Sequence, residues 1–482
     1  MTCTRAGGVV VWWGVTGSRS GAVDVFLGLD MAACPPGTRQ AALEERLREA
    51  IEAGRLRAGT AVPSTRALAQ ELGLSRGTVV TAYGELVAAG YLRTRPGGET
   101  TVVSRPRPAV PSGCHGKRIL EVDLRPGAAD LSSFPWGPWT TALRSALART
   151  PGVMLDYPPR AGLGELRSEL ADYLARSRGV LGSAERIVMC CGLTHGLALL
   201  VEALCRVGRA RIALEDPCLP RHRRMVEAHG GEVVPVPVDD DGIRVDELVA
   251  ADPDVVVLTP AHQFPMGVTL SGDRRRELVA WAVHHDRLLI EDDYDAEFRY
   301  EPSPPGALQA LAPDHVVYAG TLSKTLVPGL RLGWLVLPEW LVGGVIEAKR
   351  AAGAESSVLD QLAFAEFIRS RRYDRHLRRM RALFRRRRDR FLDALDEGVP
   401  HLKVSRTRAG LHLVVELPDG GTGESDVLAA ARQAGVGLFG LRPCWHGPPR
   451  SQGVMVGFGR PAEHAVDDAV HGLVRVLDQA TR

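Results

Sequence analysis

The sequence predicts two domains of different class, a small winged helix-turn-helix followed by a large α/β domain with a ligand site at its strand ends. Three observations carry this. Between residues 36 and 104, three helical stretches are joined by short turns and followed by a glycine-tipped strand pair. From about residue 120, short apolar strands alternate with longer helical stretches, the pattern of a sheet covered by helices. And Lys324 stands in a loop after a strand, in a chain whose only other lysines are Lys117, Lys349 and Lys403.

Composition sets the outer bounds. At 482 residues the chain is too long for one ordinary domain. Charged residues at 24% and hydrophobic residues at 45% describe a soluble globular protein. A net charge of +3 does not by itself argue for nucleic acid. No apolar run reaches the roughly 18 residues of a membrane span. The eight cysteines are scattered, with no CxxC and no Cys/His ligand spacing. That pattern implies reduced thiols in a cytoplasm and no metal site.

Residues 1–35 read as a disordered extension, or as the product of a start codon assigned too early. The run Gly8–Trp13 is short for a signal peptide and lacks a small-residue cleavage site. Helical periodicity begins at Arg39, with Leu43, Leu47, Ala50 and Ile51 on one face and Gly54 as the stop. Ser64 caps a second helix that runs to about Leu72. Gly73-Leu74-Ser75 is a tight turn, and Ser75 caps a third helix from Arg76 to about Ala88. Helix, short turn, helix is the layout of a DNA reader, and Gly90–Val102 reads as its wing.

A recognition helix reads bases with its N-terminal residues. Here these are Ser75, Arg76, Gly77 and Thr78, and Arg66 opens the preceding helix within reach of a phosphate. Arg93 and Arg95 lie on the wing. Residues 39–105 hold ten arginines and seven glutamates, a net of +3, and the glutamates at 44, 45, 49 and 52 lie away from the reading face. The plain alternative is a three-helix interaction module. Leu47–Leu56, Pro63–Ala69 and Leu74–Tyr83 resemble a GntR-type winged helix. That resemblance implies DNA contacts at Ser64, Arg66, Arg76, Thr78 and the wing, where Glu99 is an unusual acid.

Pro106, Pro108 and Pro111, with Ser112, Gly113 and Gly116, make residues 105–119 a linker. The large domain, 120–482, is organised around Gly320–Trp334. A lysine amine can deprotonate and form a Schiff base, whereas a guanidinium stays charged. Ser323 sets a hydroxyl beside Lys324, and Arg331 offers a phosphate a fork of N–H donors. An exposed loop lysine is the plain alternative. Upstream, Leu288–Asp295 is an apolar strand that ends in carboxylates and a tyrosine. Ligands of α/β folds bind at such strand ends. Pyridoxal phosphate needs a carboxylate at its ring nitrogen, a lysine for its aldehyde and donors for its phosphate. Asp292 and Lys324 meet the first two needs, and Tyr294 would donate to the phenolic oxygen. Gly192, at a strand-to-helix turn, frees N–H groups for a phosphate, with Thr194 beside it.

These motifs resemble the fold-type I aminotransferases. Asp156–Gly162 resembles the segment whose tyrosine reaches the partner subunit's cofactor phosphate. Tyr157 is the match, and it implies a homodimer; a half-buried packing tyrosine is the alternative. The departures from that pattern are informative. Leu193 replaces a hydroxyl. Leu219 replaces a ring-stacking aromatic, a role left to His222 or His195. Met455 replaces the arginine that clamps a substrate carboxylate, and Arg460 lies too far along to stand in for it. His262-Gln263-Phe264 replaces the usual asparagine and brings His262 into the cofactor set. That wording, with Glu291–Tyr300, Ser323–Gly333 and Gly410–Leu413, resembles the MocR subfamily, in which a GntR winged helix is fused to an aminotransferase-like domain. The match spans residues 24–475.

The resemblance implies a cytoplasmic, homodimeric transcriptional regulator that binds operator DNA and pyridoxal 5'-phosphate. Its small-molecule effector is either the cofactor, as in PdxR-like members that control vitamin B6 synthesis, or an amine. The competing readings are an aminotransferase with an appended DNA-binding domain and an interaction module with degenerate sites. Arg369–Arg390 reads as a solvated helix with Leu377, Met380, Leu383, Phe384 and Leu392 facing inward; the alternative is a surface that follows DNA phosphates.

Overall fold

In the computed structural model the described residues are 35, 38–95, 98–103, 122–127, 130–295, 297–301, 305–418 and 420–481, with backbone alone for 2–6 and 9–13. They belong to two compact units, Met1–Lys117 and Arg118–Arg482. The expected linker, 105–119, lies outside the described residues. Within the stretch expected to be an extension, Thr2–Ala6 pairs antiparallel with Val9–Trp13. Valine and tryptophan favour strands, and here that local preference gives pairing.

The first unit has helices at Arg39–Glu52, Thr65–Leu72 and Arg76–Ala88 and a strand pair, Leu92–Thr94 with Thr100–Val102. The serines start the helices as expected. Ser64 Oγ accepts from the Ala67 N–H at 3.2 Å, and Ser75 Oγ from the Thr78 N–H at 3.1 Å. Gly73, at φ 63°, makes the left-handed turn between them. One core joins Leu43 and Leu47, Leu68, Val79, Tyr83 and Leu86, and closes on Leu92 and Val102 of the wing.

The second unit is built on an eight-stranded sheet. Its order is Ile187–Cys190, Gly333–Val336, Val316–Thr321, Leu288–Asp293, Val255–Leu258, Arg211–Asp216, Glu232–Asp239, Gly242–Ile243. Gly333–Val336 runs against both neighbours, and the pairings from Val316–Thr321 through Glu232–Asp239 are parallel. The central strands are buried on both faces, as a helix-covered sheet requires. Their carboxyl ends therefore share one edge, where Glu215, Thr259, Asp292 and Thr321 fall.

A second, antiparallel sheet orders Lys403–Val404, His412–Leu417, Gln452–Gly457 and Phe439–Gly440. Between the two sheets in sequence lies the long helix Arg372–Gly398, with Leu377, Met380 and Phe384 buried and Leu383 and Leu392 packed against the core. The inward face is the expected one. No helix among the described residues is long and apolar enough to cross a membrane.

That helix also buries Arg387, 0% exposed, which donates to Asp130 Oδ2 at 2.9 Å and Glu463 Oε2 at 3.0 Å. It ties the start of the second unit to the approach to its last helix. Removing one member of a buried ion pair strands the other and costs about 3–5 kcal/mol. Arg387→Ala is expected to lose about that much in a urea melt; a loss below about 1 kcal/mol would show that the network carries no stability.

Candidate cofactor cavity and DNA-reading face

The reading face follows from the caps. Ser75 Oγ also lies 2.8 Å from Thr78 Oγ1, so the first turn of Arg76–Ala88 is held by its own hydroxyls. Ser64, Arg66, Ser75, Arg76, Arg93 and Arg95 are exposed, and Thr78 is half-buried. Among the described residues none of these four arginines forms an ion pair, whereas Arg46 and Arg48 on the first helix are paired with Glu49 and Glu44. The structure thus leaves positive charge where the sequence placed the reading face. The wing tip, Pro96-Gly97, lies outside the described residues.

In the second unit a cavity of about 340 Å³ opens at the shared strand edge, with Asp292, Lys324, Tyr294, Ser323, Arg331 and Thr194 on its walls. Asp292 is the penultimate residue of the strand Leu288–Asp293 and is 4% exposed. Period-two alternation turns its neighbour the other way. Asp293 accepts from Arg178 Nε at 2.7 Å and Tyr318 OH at 2.5 Å. Asp292 has no such support. Its Oδ1 is buried without a hydrogen-bond partner. Burial, then Asp295, Asp293 and Glu215, push its carboxyl well above the usual range. A buried oxygen of this kind calls for an N–H or a cation.

His222 faces this carboxyl, with Nε2 at 3.8 Å from Asp292 Oδ2 and itself without a hydrogen-bond partner. Burial lowers its pKa to about 4, so it is neutral at pH 7. Lys324 is half-buried and donates to the Gly127 carbonyl. Burial lowers its pKa below that of free lysine, against the pull of Asp295 and Asp292.

The opposite end of the cavity suits an anion. Gly192, at φ 90°, precedes the helix Leu193–Arg206, and Leu193 and Thr194 line the cavity at its first turn. The approach there is close: a Cβ on Gly333 would fall 2.9 Å from Gly192 Cα. Ser323 Oγ accepts from Thr321 Oγ1 at 3.0 Å. Arg331 is exposed, in a left-handed conformation at φ 50°, and its Nη1 lies 3.8 Å from where a Gly192 Cβ would be. A carboxyl short of a donor, a neutralisable amine and an anion-binding end form a donor set that fits pyridoxal phosphate.

His262 is placed differently from the expectation that it touches the cofactor. It is 1% exposed and stands behind Tyr294, which donates to its carbonyl at 3.2 Å. His262 Nδ1 lies 3.0 Å from both Tyr294 OH and Asp295 Oδ2. Gly410 is required here, since a Cβ on it would fall 2.0 Å from that nitrogen. His262 therefore acts on the cavity through Tyr294. The physical reason is Asp295, whose carboxylate draws the ring inward and whose role the sequence reading passed over. Glu215 was missed too: it lines the cavity, accepts from the Thr259 N–H at 3.0 Å, and is pushed by burial to about 7.

Other expectations divide. Of the two histidines offered in place of the missing aromatic, His222 lines the cavity beside Leu219; His195 instead accepts from the Cys191 N–H at 3.0 Å. Tyr157 is 94% exposed, so it is not a packing tyrosine, and it does not line the cavity of its own chain. Met455 is fully buried in an apolar cluster with Val414, Leu441 and Cys444. Arg460 is ion-paired with Asp123.

Comparison with known proteins agrees with both halves. Residues 39–102 match the family of bacterial regulatory proteins, gntR family, and residues 135–431 match aminotransferase class I and II. The chain is 34% identical to the HTH-type pyridoxine biosynthesis transcriptional regulator PdxR of Corynebacterium glutamicum, over 86% of this chain and 91% of that protein. It is 32% identical to the probable rhizopine catabolism regulatory protein MocR of Rhizobium meliloti, over 90% and 92%. Among solved structures, an archaeal alanine:glyoxylate aminotransferase superposes with a TM-score of 0.68 at 26% identity, over 74% of this chain and 91% of that one. The chain belongs to the MocR-type regulators of the gntR family, in which a DNA-binding helix-turn-helix is joined to a fold-type I aminotransferase-like domain.

Proposed function

We propose that this regulator binds pyridoxal 5'-phosphate at Lys324 and that occupancy of the cavity sets its hold on operator DNA. The observation that carries this is the lone buried oxygen of Asp292, in one cavity with a half-buried amine. Pyridoxal phosphate supplies an aldehyde with which a primary amine condenses. Lys324 provides that amine. Asp292 would meet the ring nitrogen, and Tyr294 would turn its one hydroxyl proton from the His262 carbonyl to the phenolic oxygen, with His262 and Asp295 holding the tyrosine in place. Gly192, Thr194, Ser323 and Arg331 hold the phosphate. On the DNA side, Arg76, Ser75 and Thr78 face the major groove, Ser64 and Arg66 a phosphate, and Arg93 and Arg95 lie along the wing's path.

Two further observations refine the reading. Tyr157 stands beside the exposed Val153, Met154 and Leu155. An apolar patch of this kind supports a homodimer in which Tyr157 reaches the second copy's cavity. Met455, buried among apolar side chains, cannot pair with a carboxylate. This disfavours an aminotransferase and favours the cofactor itself as effector over an α-amino acid. The name of the Corynebacterium relative, a pyridoxine biosynthesis transcriptional regulator, supports vitamin B6 genes as targets.

Mixing the protein with pyridoxal phosphate is expected to give a visible absorption band that borohydride bleaches while fixing the cofactor covalently to the chain. Lys324→Ala should give none, and a reducible band of equal size in that variant would refute the assignment. The pH dependence has a definite sign. Attack needs the neutral amine, and burial lowers the Lys324 pKa. The rate of covalent attachment should therefore reach half its maximum below the free-lysine value of 10.5. A midpoint at or above that value would show that the amine titrates as if in water.

A further inference from the structure

Apart from the half-buried Arg372, which donates to Ser370 Oγ at 3.2 Å, the arginines of the long helix Arg372–Gly398 fall into two sets. Arg381, Arg387, Arg388 and Arg390 are ion-paired, with Glu297, Asp130 and Glu463, Asp389, and Asp467. Arg375, Arg378, Arg379, Arg385 and Arg386 are exposed. Among the described residues none of these five forms an ion pair. Three of them donate to neutral acceptors: Arg375 to the Ser370 carbonyl at 3.4 Å, Arg379 to the Ser133 carbonyl and to His376 Nδ1, both at 3.4 Å, and Arg385 to the Tyr300 carbonyl at 3.0 Å. Their charge is left uncompensated.

Arg375, the pair Arg378 and Arg379, exposed Ala382 and the pair Arg385 and Arg386 follow one another at three to four residues, so the five arginines lie along one helix face with a gap at Ala382. From Arg375 to Arg386 the stripe runs about 16 Å at 1.5 Å per residue. Two hollows, of about 270 and 450 Å³, flank it and share Arg379 and Pro135. Neither is lined by a carboxylate. Like charges at this spacing repel, so the bare stripe is strained until an anion covers it.

We infer that this stripe binds the backbone phosphates of duplex DNA. Each guanidinium presents a fork of donors that matches a phosphate. One DNA strand carries a phosphate about every 3.4 Å of axis, so a stripe of about 16 Å faces roughly five of them. A row of unpaired guanidinium groups along one helix face suits a row of phosphates, and the gntR-family half of the chain brings a duplex to the molecule. The contact reads no sequence. It goes beyond the cofactor proposal and does not depend on it.

The test uses the full chain and a random-sequence duplex, which needs no known operator. Affinity is measured against salt for the wild type, for Arg375→Gln/Arg378→Gln/Arg386→Gln, and for the same three changed to lysine. Each pair is repeated in an Arg76→Ala background, where the reading helix contributes less. The glutamine triple should flatten the slope of log affinity against log salt by about 2.7, at about 0.9 per phosphate. The lysine triple should keep the parent slope. The stripe assignment is overturned if the glutamine triple keeps the parent slope in both backgrounds. It is equally overturned if the triple loses only self-association, since the face would then cover a second copy.

Discussion

The site depends on a carboxyl held out of water with one oxygen unspent. Asp292 is the last inward-facing residue of a strand buried on both sides. Its neighbour Asp293 is locked by Arg178 and Tyr318, so the strand end cannot rotate to relieve the exposed need. Glu215 and Asp295 raise the cost of charging Asp292 further. A cavity with this much carboxyl density at its floor, and Lys324 beside it, is completed by a group that brings an N–H or a positive charge. The parallel order of the central strands makes the arrangement possible, because it delivers Glu215, Thr259, Asp292 and Thr321 to one edge.

At the cavity wall, Tyr294 and Asp295, with His262 behind them, meet Gly410, just before the strand His412–Leu417 of the second sheet. The same interior therefore joins the two sheets of the unit. A ligand that pulls on the Tyr294 phenol acts on a hydrogen bond shared with this junction. Differential contacts of that kind are what a switch requires, since a ligand shifts an equilibrium only by what it gains in one state over the other. Met455, fully buried among apolar side chains, offers no charge to a carboxylate.

Much of this was legible in the sequence because the signals were local. Ser64 and Ser75 marked helix starts through their own hydroxyls. Asp292 and Lys324 could be paired because a strand-end carboxylate and a scarce amine are both visible in short windows. What escaped depended on distant partners. The direction of His262 is set by Asp295 and by the missing Cβ of Gly410. Which arginines of the long helix are spent inside depends on Asp130, Glu297 and Glu463, none of which lies near them in the chain. Tyr157 is a different case, since its proposed partner belongs to a second copy.

The most direct measurement is the equilibrium affinity for pyridoxal phosphate of the wild type and of Asp292→Ala, followed by protein fluorescence. A hydrogen bond to a charged group contributes about 1.5–3 kcal/mol. The variant should therefore bind roughly ten to a hundred times more weakly. Equal affinity in the two proteins would contradict the account, because the unspent oxygen of Asp292 would then not be what the cofactor meets.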